Sequence, residues 1–230
     1  RLHQHIQHRR PQTDGPTALT GPMISNSIVE QGRRKNKKFT NPYIDEIREH
    51  EDIIYWVAEG EEPKLEELFD TSRGIVVDIG CGAGNFLTSY AMAVPDRNFV
   101  GFELRFKRLV KGALKFKKRN LTNIRLIRAR AQEIARWLPP GSVREVHINF
   151  PDPWTKKRHA KHRLITRDFL KTIHSLLEPG GLFVYKTDHA DSFARGMELL
   201  EGQQDLELVE HSEDLHASPY NETNIPTEFE

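Results

Sequence analysis

Residues 75–84, Ile-Val-Val-Asp-Ile-Gly-Cys-Gly-Ala-Gly, constrain this chain more than any other stretch. A short run of β-branched residues stops abruptly at glycine, the pattern of a buried strand. Gly80, Gly82 and Gly84 follow at alternate positions, so the backbone there can turn tightly and a ligand can approach it closely. Residues 85–93 then carry a helical pattern. Strand, glycine-rich turn and helix open a β-α-β unit, and the rest of the chain keeps that alternation. Strands are predicted at 98–103, 124–128, 143–150, 182–187 and 206–210. Helices are predicted at 105–118, 133–138, 168–177 and 190–200. Before them, residues 43–58 read as a helix with Ile44, Ile47, Ile54 and Val57 on one side. The expected fold is α/β, a doubly wound parallel sheet with helices on both faces and right-handed crossovers.

Ligands of such sheets bind beyond the carboxyl ends of the strands, near the point where strand order reverses. The first such end does not carry G-x-G-x-x-G, because Asn85 follows Gly84. It carries D-x-G-x-G-x-G, from Asp78 to Gly84, which resembles the first motif of class I methyltransferases. The resemblance implies S-adenosyl-L-methionine as cofactor, S-adenosyl-L-homocysteine as product, and Asp78, Gly80, Gly82 and Gly84 as cofactor-binding residues. Glu103 closes the second strand, where a carboxylate can accept both ribose hydroxyls. Arg130 and Ala131 close the third, on the adenine side. Related enzymes carry Asp or Asn where Arg130 stands. A guanidinium accepts no hydrogen bond, so either backbone near Ala131 serves the adenine, or Arg130 stacks or points away.

The fourth strand runs into Phe150-Pro151-Asp152-Pro153-Trp154-Thr155-Lys156-Lys157-Arg158-His159. Two prolines stiffen this loop and hold Asp152 beside an aromatic ring and a basic cluster. The pattern F-P-D-P-W-x-K-x-R-H-x-K-x-R resembles the tRNA (guanine-N7-)-methyltransferase family. So do Lys186-Thr187-Asp188 and the final Thr227-Glu228-Phe229-Glu230, and these motifs together span residues 74–230. The resemblance implies a Rossmann-like sheet of the class I type and methylation of N7 of guanine 46 in the tRNA variable loop. It implies Asp152 as the catalytic residue and Lys156, Asp188, Thr227, Glu228, Phe229 and Glu230 as substrate-binding residues. The implied partner is tRNA, with no obligate protein partner. It also implies a seventh, antiparallel strand. Only six strands can be placed before Glu230, so the seventh is expected to be missing from this chain, leaving an open sheet edge.

Charge fits a polyanionic partner. A net charge of +1 hides eight Lys/Arg and no acid in residues 105–119, five more Lys/Arg in 156–163, and ten acids with no Lys/Arg in 198–230. Clustered cations in a near-neutral chain favour a nucleic acid, although any one run can be a solvated face. The single cysteine, Cys81, excludes an internal disulfide and a cysteine-cluster metal site, and no metal is expected. No apolar run reaches the roughly 20 residues of a membrane helix and no signal-peptide pattern is present, so a cytoplasmic location is expected. Residues 1–40 read as a disordered basic tail, and 41–230 as the methyltransferase domain, C-terminally truncated. Two alternatives stay open: a class I methyltransferase with another substrate, and a non-catalytic RNA-binding relative.

Overall fold

A computed structural model describes residues 2–8, 42–56, 73–201, 205–227 and 229. Its strands are β1 (Leu2–His8), β2 (Ile54–Tyr55), β3 (Ile75–Ile79), β4 (Asn98–Phe102), β5 (Ile124–Ile127), β6 (Val143–Asn149), β7 (Leu177–Thr187) and β8 (Leu206–Ser212). Its α-helices are α1 (Tyr43–Arg48), α2 (Asn85–Ala93), α3 (Phe106–Lys118), α4 (Ile134–Trp137), α5 (Arg167–Leu176) and α6 (Ala190–Leu200).

All eight strands form one sheet in the order β2-β5-β4-β3-β6-β7-β1-β8. The β2–β5, β5–β4, β4–β3, β3–β6 and β6–β7 pairs are parallel. The chain walks outward from β3 through β4 to β5, then returns to the other side of β3 with β6. The order therefore reverses between β3 and β6, and a crevice opens at their carboxyl ends. Every residue of β3 and of β4 is buried, as expected of strands covered on both faces. One apolar cluster includes Val77, Phe102, Val146, Phe183 and residues of α5. The other joins Val76, Phe99 and Leu126 to α1, α2 and α3.

Local chemistry sets the helix limits. Thr166 caps α5, its hydroxyl accepting from the Phe169 amide at 3.2 Å. After α3, Asn120 turns left-handed (φ 54°), and the Leu121 amide reaches back to the Phe116 carbonyl at 3.0 Å, ending the helix in a Schellman turn.

Two expectations are corrected. The helix predicted over 43–58 stops at Arg48, and Ile54–Tyr55 pairs with Leu126–Ile127 instead. The Leu126 and Arg128 amides, on the outer edge of β5, need acceptors, and the carbonyls of Ile53 and Tyr55 supply them at 2.8 Å. Val57 lies outside the described residues.

The second correction concerns residues 2–8, which are not disordered but form β1. This strand is antiparallel to both β7 and β8, with Leu2 opposite Thr187 and His3 opposite Ser212. It takes the place expected of the seventh strand, so the edge between β7 and β8 is paired rather than open. An extended backbone there satisfies two rows of amides and carbonyls at once. Residues 9–40 of the predicted tail lie outside the described residues.

Candidate active site

The strand-to-helix turn after β3 follows from its glycines. Gly80, Gly82 and Gly84 have φ of 78°, 57° and 68°, values that a side chain disfavours. At Gly84 a Cβ would also lie 2.5 Å from the Phe116 ring, whereas at Gly80 nothing lies within 4 Å. The loop is thus packed against α3 on one side and open in front of Gly80. The Gly80 and Cys81 amides donate to the Phe102 carbonyl at 2.8 and 3.1 Å. This ties the loop to the end of β4, where Glu103 sits. One Glu103 oxygen accepts from the Leu104 and Arg105 amides at 2.7 and 2.9 Å, and the other lies 3.4 Å from Arg108 Nη1.

A narrow cavity at this turn is lined by Asp78, Gly80, Gly82, Phe86, Arg108, Asn149 and, from the far end of the chain, Thr227 and Phe229. Phe229 also faces the Phe150 ring, centroids 6.0 Å apart. Asn149 Nδ2 donates to Asp78 Oδ1 at 3.2 Å, joining the two strand ends at the switch point. Burial pushes the Asp78 carboxyl up to about 7, against the lowering effects of Asn149 and Lys186. At the end of β5, Arg130 is exposed, and its amide donates to Glu133 Oε2 at 2.9 Å. Ala131, half-buried, begins a short 3-10 turn.

The loop after β6 is held in an unusual shape. Phe150 and Trp154 flank Pro151-Asp152-Pro153 and both have positive φ, 51° and 42°, which is costly for bulky residues and needs external restraint. Arg163 provides it, with Nε donating to the Trp154 carbonyl at 3.1 Å and Nη2 to the Thr155 carbonyl at 3.2 Å. The Trp154 ring packs against His159 and His162, centroids 5.4 and 5.0 Å away. Asp152 is exposed and lines a second cavity of about 310 Å³, with Tyr185, His189, Asp191 and Arg195 across from it. Lys156 and Asp188 are exposed on the segments that follow β6 and β7. Thr227 and Phe229 therefore group with Asp78, and Asp152 with the second cavity. Glu228 and Glu230 lie outside the described residues.

Several residues around the site have no motif in the sequence. Glu145, His147 and Asn149 alternate along β6 and share one face, a signal that the sequence does contain. Glu145 accepts from the Tyr90 hydroxyl at 2.6 Å, lies 3.1 Å from His147 Nε2, and pairs with Arg97 at 3.3 Å. Burial pushes the Glu145 carboxyl up, but His147, Tyr90 and Arg97 together outweigh it and hold the carboxyl at about 2. Lys186, which opens the Lys186-Thr187-Asp188 motif, is buried on β7 and donates to Asn224 Oδ1 and to the Ile225 carbonyl at 3.3 Å, anchoring the segment that leads to Thr227.

The basic run on α3 is partly spent inside the molecule. Arg108 meets Glu103, Lys117 pairs with Asp52 at 2.9 Å, and Lys115 turns toward the glycine loop. Arg105, Lys111, Lys118 and Arg119 are exposed. Among the described residues, no helix is long and apolar enough to cross a membrane.

The donor set suits a cationic ligand with a ribose. A buried carboxylate faces the loop cavity, the space before Gly80 is open, and Glu103 presents a carboxylate at the end of β4. These features fit S-adenosylmethionine, which carries a sulfonium, an ammonium and two ribose hydroxyls.

A family described as "Putative methyltransferase" matches residues 72–230. The chain is 36% identical over 218 residues to a bifunctional glycosyltransferase/methyltransferase of Fusobacterium nucleatum, covering 90% of this chain and 34% of that protein. It is 33% identical over 207 residues to a tRNA (guanine-N(7)-)-methyltransferase of Mesoplasma florum, covering 86% of this chain and 91% of the relative. A tRNA (guanine-N(7)-)-methyltransferase of Geobacillus thermodenitrificans is 34% identical over 198 residues, covering 86% of this chain and 89% of the relative.

Proposed function

This chain belongs to the tRNA (guanine-N7-)-methyltransferase family, and from that premise we propose that it methylates N7 of a guanine in tRNA, at position 46 of the variable loop. The observation that carries the proposal is the meeting of two strand ends. The glycine loop after β3 and the Asp152 loop after β6 leave adjacent strands at the switch point, with Asp78 and Asn149 hydrogen-bonded between them.

S-adenosylmethionine, when bound, supplies a methyl group on a sulfonium and departs as S-adenosylhomocysteine. Residues 80–84 would seat it, the ionised Asp78 carboxylate would complement its positive charge, and Glu103 would accept from the ribose hydroxyls. Because the Arg130 guanidinium accepts no hydrogen bond, backbone at Ala131 is assigned to the adenine.

Guanine N7 presents a lone pair and no proton, so no residue has to act as a base. The protein contributes alignment and negative charge near a ring that becomes cationic. Asp152 and Asp188 are assigned to the N1–H and exocyclic amine of guanine, an edge that adenine does not offer. Thr227, Glu228, Phe229 and Glu230 are assigned to binding the substrate. Lys156 and its basic neighbours are assigned to phosphates, which position RNA without reading sequence. We assign this work to the cytoplasm.

Transfer of labelled methyl from S-adenosylmethionine to a tRNA transcript tests the proposal. A transcript with adenine at position 46 is expected to accept none. Equal labelling of both transcripts would reject the assigned position.

A further inference from the structure

Lys115 belongs to the basic run on α3, yet its ammonium turns inward. The residue is half-buried. Its Nζ donates to the Ala83 carbonyl at 2.9 Å and to Asn85 Oδ1. Both acceptors belong to the glycine loop and the first turn of α2. The approach depends on Gly112, where a Cβ would lie 2.9 Å from Leu126 Cδ1 and 3.5 Å from the Ala83 carbonyl. The Phe116 ring fills the space that a Cβ on Gly84 would need. Arg108, on the same side of α3, reaches Glu103 and lines the loop cavity. Positions 108, 112, 115 and 116 recur at helical spacing, so one face of α3 is fitted to the loop.

Electrostatics separates this contact from ordinary helix capping. The first turn of α2 carries unsatisfied amides and a partial positive charge. An ammonium beside it does not favour the helix, and immobilising a lysine costs side-chain entropy. What the contact fixes is the direction of the Ala83 carbonyl and of Asn85, and with them the left-handed turns at Gly82 and Gly84.

We propose that Lys115 is a positioning residue for the cofactor loop: without touching the cofactor, it holds residues 83–85 so that the 80–84 backbone is preformed to receive S-adenosylmethionine. The inference rests on the methyltransferase function proposed above.

Lys115→Met keeps the stem and removes the ammonium. Three quantities are measured: hydrogen exchange of the 80–88 amides without ligand, calorimetric Kd for S-adenosylmethionine, and the melting midpoint. Loss of charge-assisted hydrogen bonds is expected to raise both the loop exchange rate and the Kd roughly tenfold. The melting midpoint should fall by no more than about 5 °C, and KM for tRNA should not move. Lys115→Arg, which keeps charge and donors, should recover part of both effects. Asn85→Ala should shift both in the same direction by less, and its combination with Lys115→Met should be less than additive. This second variant also carries the test if Lys115→Met folds poorly. Exchange and Kd at wild-type values in the variants would overturn the inference. A wild-type chain that binds no cofactor, while loop exchange still responds to Lys115→Met, would instead overturn the proposed function.

Discussion

Asn149 donates to Asp78 across the switch point of the sheet, 3.2 Å from Nδ2 to Oδ1. The bond joins the strand that leads into the glycine loop to the strand that leads into the Asp152 loop. It also restrains a carboxylate that burial pushes up to about 7.

Cofactor binding should therefore depend on pH. S-adenosylmethionine is cationic at its sulfonium and favours the ionised form of Asp78. Below pH 7 its affinity is expected to fall by up to roughly tenfold per unit, and above 7 to level off. Asp78→Asn should remove the dependence and weaken binding at pH 8. Calorimetry across pH 5.5–8.5 checks this, and a flat wild-type profile would contradict it.

The same carboxyl gives a stability signature. Its folded value is raised from 3.8 to about 7. Below 3.8 it is neutral in both folded and unfolded chains. Between these values only the unfolded chain ionises, so the contribution of Asp78 to stability is lost as pH rises through the window, by about 4 kcal/mol in all. Asp78→Asn should accordingly melt higher than wild type at pH 8 and equally at pH 3.5.

Glu145 runs in the opposite direction. Its value is lowered from 4.5 to about 2, so its contribution is present above 4.5 and lost as pH falls through about 2. Glu145→Gln leaves Arg97 and His147 facing a neutral amide and should lower stability by about 3 kcal/mol at pH 7. Denaturant melts of the two chains should converge toward pH 2.

Asp152→Ala should reduce methyl transfer by at least about 100-fold while leaving the Kd for S-adenosylmethionine within about twofold, since Asp152 lines the second cavity and not the loop cavity. Turnover at the wild-type rate would remove Asp152 from the mechanism.

Arg163 restrains the strained loop through two backbone carbonyls. Arg163→Lys keeps the charge and loses the fork, so kcat should fall by roughly tenfold with cofactor affinity unchanged. An intact kcat would mean that the loop holds its shape without it.

Much of this was legible in the sequence because parallel strands buried on both faces announce themselves as apolar runs, and glycines at fixed spacing announce the turn. α2 and α6 fall where periodicity puts them. Ile54 is ambiguous in the sequence, because a β-branched residue at helical spacing from Ile47 also suits an edge strand. Only the open edge of β5, a tertiary feature, decides between them. Leu2–His8 lacked any strand alternation strong enough to mark it, and its place depends on two strands near the other end of the chain. Charge patterning identified the basic run on α3 but could not tell which cations face inward. That Lys115 reaches Ala83 depends on Gly112 allowing close packing, and that Arg163 reaches the Trp154 carbonyl depends on the path of the loop.

Methylation of guanine N7 is tested most directly by nucleoside mass spectrometry of tRNA incubated with this chain and methyl-labelled S-adenosylmethionine. Labelled 7-methylguanosine is expected, at the expense of the guanosine at position 46, and none with Asp152→Ala. Cofactor binding without any labelled nucleoside, or label on a base other than guanine, would contradict it.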